Sequence, residues 1–174
     1  MNFFEWFGLP IRLTLDEEDL RRRYVTLSRR WHPDYYADRP AAEQEEALRM
    51  ATFNTQAYET LRHSDRRLRY VLELAGLLEE EGRQQVPKDF LFEIMELNEA
   101  IQEAGNDAER RSQVQQQLDD LLQKLEHSVQ SDIASFQGDL HDRPLLERIR
   151  DYYLKRRYLL RLQQRLDSFE PDFS

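Results

Sequence analysis

The stretch that decides the fold is residues 20–34, which read LRRRYVTLSRRWHPD. Its apolar residues recur at i, i+4, i+7 and i+11, the spacing of one face of an α-helix. They are Leu20, Tyr24, Leu27 and Trp31. Pro33 cannot continue this helix and disfavours helical geometry at His32, so the chain turns there. The stretch therefore predicts an amphipathic helix that ends in the tripeptide His32-Pro33-Asp34.

The flanking residues complete a helical hairpin. Thr14 or Asp16 can cap the first helix, because acidic residues fill the turn that follows. A second helix is predicted from about Pro40 to about Arg62, antiparallel to the first, with the tripeptide at the tip of the pair. A shorter helix is expected over residues 65–74, and the aromatic rings of residues 3–9 are expected to pack across the pair.

Asn54 stands in the apolar stripe of the second helix. A buried Asn without hydrogen-bond partners would cost about 1–3 kcal/mol. We therefore expect Asn54 to be hydrogen-bonded, or its helix to be shifted or exposed at an edge.

The composition favours a helical protein. Of 174 residues, 34% are charged and only five are Gly and six are Pro, which favours long solvated helices over a β-sandwich or a Rossmann domain. Because Cys is absent, disulfides, thiolate zinc sites, cysteine catalysis and cysteine ligation of an iron–sulfur cluster by this chain are excluded. The sequence has neither an 18-residue apolar run nor a secretion signal, so we expect a cytoplasmic location and no membrane partner.

The net charge of −9 is unevenly distributed. Residues 1–75 carry 12 basic and 13 acidic residues, whereas residues 76–174 carry 13 and 21. Two glycines, an acidic run and a proline predict a linker at residues 76–83 between domains at 1–75 and 84–174. The basic run at 143–165 is expected to lie against the acidic first helix of the second domain and to be neutralised within the protein, and nucleic-acid binding is not expected at this overall charge.

The second domain is predicted to be a bundle of three helices, at about residues 87–104, 108–137 and 144–169. One face of the first of these helices is a predicted core face, formed by Phe90, Ile94, Leu97 and Ile101. The opposite face mixes apolar and acidic residues, namely Leu91, Phe92, Met95, Glu96, Glu99 and Glu103. An apolar patch rimmed by charge is typical of a partner-binding surface.

The tripeptide admits three interpretations. His32 and Asp34 could form an acid–base pair, but the residues around them supply no nucleophile, metal ligands or pocket, so we do not expect an enzyme. Pro33 could merely fix a turn in a helical adaptor. The third interpretation, an interaction site, is favoured by the surrounding sequence.

That sequence resembles the J-domain of DnaJ-type co-chaperones. The likeness rests on an acid-capped helix with a basic outer face, the tripeptide, and a second helix that ends in Ala57-Tyr58-x-x-Leu61. Asn54 departs from the aliphatic residue usual at its position. The resemblance implies binding to a DnaK-type chaperone and stimulation of its ATPase. His32, Pro33 and Asp34 would couple to the ATPase, and docking would use Arg21, Arg22, Arg29 and Arg30.

The whole chain is similar to the HscB family within that class. The residues that carry this likeness are 4–10, 60–76 and the run 90–97, FLFEIMEL. The resemblance implies that the J-domain recruits the chaperone HscA and that the C-terminal bundle binds the iron–sulfur scaffold protein IscU. The implied scaffold-binding residues are Leu91, Phe92, Met95, Glu96, Glu99 and Glu103, with Tyr153 and Leu154 from the last helix.

The predicted fold is therefore all-α, with a J-domain joined to a three-helix bundle. No metal site or cofactor is expected, since the cysteine cluster of some eukaryotic relatives is absent. Two alternatives stay open: a J-domain co-chaperone with a different client, and a helical adaptor that has no chaperone function.

Overall fold

A computed structural model describes residues 1–79 and 86–168, and every element in them is helical. The all-α prediction is confirmed. The helices are α1 (Phe3–Trp6), α2 (Glu17–Arg30), α3 (Ala41–Leu61), α4 (Ser64–Leu74), α5 (Lys88–Ala104), α6 (Ala108–Ser135) and α7 (Arg143–Asp167), with a 3-10 turn at Pro33–Tyr36.

The chain divides into two compact units. The first holds residues 1–74 and 136–140, and the second holds residues 75–135 and those from 141 onward. The predicted domain limits stay predictions, because residues 80–83 of the linker and residues 84–85 and 169–174 of the second domain lie outside the described residues.

In the first unit, α2 and α3 form the predicted antiparallel hairpin. Asp16 caps α2, since its Oδ1 accepts hydrogen bonds from the backbone N–H groups of Glu18 and Asp19. The rings of Tyr24 in α2 and Tyr58 in α3 stack with their centroids 4.2 Å apart. Ser28 lies four residues after Tyr24 in α2, and it contacts Asn54, which lies four residues before Tyr58 in α3. The contacts run in opposite directions along the two helices, so the hairpin is antiparallel.

Asn54 is buried and fully hydrogen-bonded. It is 1% exposed. Its Oδ1 accepts from the Trp6 indole at 2.9 Å, and its Nδ2 donates to the Tyr24 carbonyl at 3.2 Å and to Ser28 Oγ at 2.9 Å. Of the alternatives open from the sequence, the hydrogen-bonded one is therefore confirmed, and the amide ties α1, α2 and α3 together.

We expect Asn54→Ala to lower the free energy of unfolding of the first unit by about 2–3 kcal/mol, because it empties a buried volume and removes three hydrogen bonds. Urea titration followed by tryptophan fluorescence measures this unit, since both tryptophans, Trp6 and Trp31, belong to it. Gln56→Ala is the matched control, because it removes an exposed amide from the same helix. Equal midpoints for the two variants would contradict the account of Asn54.

Arg67 of α4 closes the base of the hairpin. Its buried guanidinium donates to the carbonyls of Leu13, at 2.8 Å, and Leu61, at 2.6 Å. Burial lowers the pKa of this group from its ordinary value, and the Coulombic effect of Glu17 opposes that shift. The predicted packing of the opening segment across the hairpin is also seen, since the rings of Phe3 and Trp6 lie edge-on to Phe53 of α3, at 5.2 and 5.1 Å between ring centroids.

The second unit is the predicted bundle of α5, α6 and α7. The expected core face of α5 is confirmed, since Phe90, Ile94, Leu97 and Ile101 are all at most 7% exposed. Contacts of Phe90 with Lys155 and of Asn98 with Arg165 show that α5 and α7 run parallel.

Ion pairs within the bundle take up part of the charge of α7. Arg148 pairs with Asp132 at 3.1 Å, and Arg156 pairs with Glu126 at 3.8 Å. Asp132 and Glu126 belong to α6. The hydrogen bonds that Arg148 donates to the Asp132 carboxylate raise the pKa of Arg148 from its ordinary value. The sequence placed the neutralising charge on the acidic helix α5, whereas these ion pairs join α7 to α6.

Candidate functional site

The tip of the hairpin is built by its own backbone. His32 caps the 3-10 turn, since its Nδ1 accepts from the Asp34 N–H at 3.2 Å and its carbonyl from the Tyr35 N–H at 3.1 Å. With Nδ1 as acceptor, the neutral ring carries its proton on Nε2. The His32 side chain is 52% exposed and the Asp34 side chain more so. Both side chains therefore face solvent in a defined geometry.

This arrangement suits contact with a partner better than catalysis. The carboxylate of Asp34 lies 3.6 Å from Nδ1, and the pair stands on an exposed turn rather than in a pocket. In the described parts of the chain, no three His, Asp or Glu side chains converge to hold a metal ion. The tip can present a ring and a carboxylate to another protein.

Three of the four predicted docking arginines share the outer face of α2. Arg21, Arg22 and Arg29 are exposed and line a shallow groove whose floor includes Val25. Val25 was not predicted from the sequence, although its position four residues from both Arg21 and Arg29 places it on the same helical stripe. The groove thus joins an apolar floor to a basic rim.

Asp19 partly neutralises the positive charge at one end of this groove. It pairs with Arg22 at 3.4 Å and with Arg23 at 3.0 Å. The pKa of Asp19 lies below its ordinary value: desolvation raises it, but hydrogen bonds from Arg23 and Arg22 outweigh that effect. Arg23 also donates to the Phe7 carbonyl at 2.8 Å, so this member of the arginine run holds α1 against α2.

Arg30, the fourth predicted docking residue, lies beside the tip. Its guanidinium sits over the Trp31 ring at 5.3 Å from the centroid, and the Tyr36 ring stacks with Trp31. The Tyr36 hydroxyl donates to the Arg30 carbonyl at 3.2 Å. These contacts fix a positive charge next to His32.

In the second unit, the predicted partner face of α5 is exposed. Leu91, Phe92 and Met95 are 39%, 67% and 58% exposed, and three carboxylates border them. We call this set the α5 patch: Leu91, Phe92, Met95, Glu96, Glu99 and Glu103. Large apolar side chains this exposed on one helix face are typical of a docking surface.

The two residues predicted from α7 do not belong to this surface. Tyr153 and Leu154 are only 9% and 5% exposed, on the stripe of α7 that packs into the bundle with Ile149. Neither side chain can reach a partner without unpacking the core, so the structure corrects this part of the prediction.

Tyr158 is the aromatic residue of α7 that the sequence reasoning missed. It is half-buried and lies seven residues before Arg165, which contacts Asn98 of α5. Leu91 likewise lies seven residues before Asn98, and the two helices run parallel, so the register places Tyr158 beside the α5 patch.

An exposed His-Pro-Asp turn between α2, with its basic outer face, and α3 is the arrangement of a J-domain and places this chain in the class of J-domain co-chaperones. Residues 86–167 match the family described as the HSCB C-terminal oligomerisation domain. The chain is 32% identical over 140 residues to a co-chaperone protein HscB homolog of Chromobacterium violaceum, over 80% of this chain and 74% of that protein. The chain belongs to the HscB family of co-chaperones.

Solved structures agree with this assignment. The chaperone HscB from Vibrio cholerae is similar with a TM-score of 0.64 and 29% identity, over 96% of each chain. The human co-chaperone protein HscB matches in fold, with a TM-score of 0.73 at 23% identity, over 96% of this chain and 81% of that one. No helix in the described residues is long and apolar enough to cross a membrane.

Proposed function

We propose that this protein stimulates the ATPase of the DnaK-type chaperone HscA and delivers the iron–sulfur scaffold IscU to it, in the cytoplasm. Residues 1–75 act as the J-domain and residues 84–174 hold the scaffold. The observation that carries the proposal is the exposed α5 patch in a chain that also presents a His-Pro-Asp tip. Such an apolar surface is costly to leave in water unless a partner covers it.

The first unit supplies the ATPase contact. His32, Pro33 and Asp34 engage the chaperone, while Arg21, Arg22, Arg29 and Arg30 steer the encounter. A basic face meeting an acidic partner raises the association rate and fixes the orientation, and both effects weaken with salt. No bond is made or broken by this chain, in keeping with relatives that are co-chaperones.

The second unit supplies the client contact. Phe92 and Met95 provide apolar anchors, and Glu96, Glu99 and Glu103 form a charged rim that selects a basic partner surface. Tyr158 takes the place that the sequence assigned to Tyr153 and Leu154. The cluster is cargo of the scaffold, and this chain has no cysteine with which to ligate it.

Covalent linkage couples the two contacts. A scaffold held by one domain meets the chaperone recruited by the other at a high effective concentration, set by the connecting chain. Hydrolysis is thereby tied to the presence of the right client.

We expect IscU to lower the concentration of this protein that half-saturates stimulation of the HscA ATPase, by about tenfold or more. The paired substitution Phe92→Ala and Met95→Ala should keep stimulation by the chain alone but lose this shift. Steady-state ATPase titrations with and without IscU measure both quantities. A chain whose half-saturation IscU does not change would contradict the delivery proposal.

A further inference from the structure

A groove runs beside the α5 patch, between α5 and α6. It consists of two adjoining hollows that share Glu93 and Leu121. The floor of the hollow towards the C-terminal end of α5 is apolar, with Leu97 and Ala100 beside Leu121. The groove follows α5 from Phe90 to Ala100, about 15 Å at the rise of an α-helix.

The rim of this part of the groove is acidic. Glu93 and Glu96 border it from α5 and Asp120 from α6. The contact of Asp120 is with a neutral group, since Gln116 Nε2 donates to its Oδ1 at 2.8 Å. Within residues 1–79 and 86–168, none of these three carboxylates forms an ion pair. Their negative charge is available to a partner.

The other hollow, near the start of α5, has a different character. It is a cavity of about 280 Å³ whose apolar wall is formed by Phe90, Leu125 and Leu159. Its edge carries both charges, Lys124 and Lys155 with Asp89 and Glu93, and the Lys155 ammonium lies 5.7 Å from the centroid of the Phe90 ring. Its volume is at the small end of the range of about 300–1,000 Å³ typical of ligand pockets, and it has room for an apolar side chain of a partner.

The α5 patch alone is too small for a specific interface. A stable complex usually takes about 20–30 residues from each partner, and the patch offers six. Glu96 belongs both to the patch and to the groove, so a partner seated on Phe92 and Met95 reaches the groove without a break.

We infer that the α5–α6 groove is the second half of the client surface and takes a basic segment of the same scaffold that covers the α5 patch. Lysine or arginine side chains of that segment lie between Glu93, Glu96 and Asp120. An apolar side chain fills the cavity at Phe90. The inference rests on the proposed function for the identity of the client, and on charge and continuity for the place of contact.

Charge reversal tests the acidic half. Asp120→Lys is expected to weaken binding of IscU by about tenfold, because it puts a cation against the basic segment. Asp119→Lys is the matched control: it makes the same change at the next residue of α6, which does not line the groove and holds Gln115 instead. That control should stay within about twofold of wild type in titration calorimetry at fixed salt.

A bulky substitution tests the cavity. Ser128 lines it, so Ser128→Trp is expected to weaken binding about fivefold by occupying the space meant for the partner's side chain. Gln130→Trp, exposed on the far side of α6, is its control. Circular dichroism of all four variants establishes that each is folded.

The outcomes separate the groove from the client assignment. If Asp120→Lys and Ser128→Trp bind IscU like their controls while the paired change of Phe92 and Met95 to Ala loses binding, the groove inference is wrong and the proposed function stands. If wild type does not bind IscU, both fail. If sedimentation shows that the chain self-associates and that Asp120→Lys disperses it, the groove joins copies of this chain and the inference is overturned.

Discussion

His32→Gln is expected to reduce stimulation of the HscA ATPase by about 30-fold or more, the effect of losing one central contact of an interface. The imidazole is half exposed at the tip, and its Nδ1 accepts from its own turn, which leaves the Nε2–H as the donor that the ring can offer a partner. A glutamine can still cap the turn through its side-chain oxygen, but it cannot present a ring in that place. Single-turnover hydrolysis by HscA, with and without the variant, measures the loss.

His63→Gln is the matched control for this experiment. His63 is a second exposed histidine of the first unit, and its side chain is 45% exposed. Its Nε2 lies 3.6 Å from the carboxylate of Glu59. Stimulation by this variant should equal that of wild type. If folded His32→Gln stimulated the HscA ATPase as well as His63→Gln does, the proposal that the first unit works as a J-domain would be wrong. A helical adaptor without chaperone function would then be favoured.

The hairpin was predictable because local rules agreed along its length. The stripe from Leu20 to Trp31 has helical spacing, Asp16 offers a cap and Pro33 stops the helix, so each signal requires only neighbours in sequence. The same holds for α5, where apolar and acidic residues separate onto opposite faces.

The fate of Asn54 could not be read from the sequence. Its three hydrogen bonds join it to Trp6, 48 residues away, and to Tyr24 and Ser28, 30 and 26 residues away. A stripe on a helical wheel says that a side chain points inward, but it does not name the groups that meet it.

The error on α7 has a similar origin. Apolar residues occur on more than one stripe of α7. Which of these residues lies beside the α5 patch depends on the register of α7 against α5. The contact of Arg165 with Asn98 supplies that register and places Tyr158, rather than Tyr153, at the level of Leu91. From sequence alone, two adjacent apolar residues on α7 were indistinguishable from surface anchors.

Replacing Phe92 and Met95 together with Ala is expected to weaken binding of IscU by roughly 30- to 1,000-fold. Complete burial of one such side chain contributes about 1.5–3 kcal/mol, and these two are 67% and 58% exposed before binding. Covering what is exposed of both therefore contributes about 2–4 kcal/mol, which corresponds to that loss of affinity. Isothermal titration with purified IscU measures it.

Because Phe92 and Met95 are exposed, a loss of IscU binding by the paired variant can be separated from a loss of folding. Because both side chains lie outside the core, their loss leaves the bundle packing intact, and the midpoint of thermal unfolding should stay close to that of wild type. Leu48→Ala is the control, since Leu48 is 59% exposed on α3, in the other unit. If Leu48→Ala weakened IscU binding as much as the paired change, apolar exposure in general rather than the α5 patch would be responsible. Unchanged binding by the paired variant would instead show that IscU binds this chain outside the α5 patch.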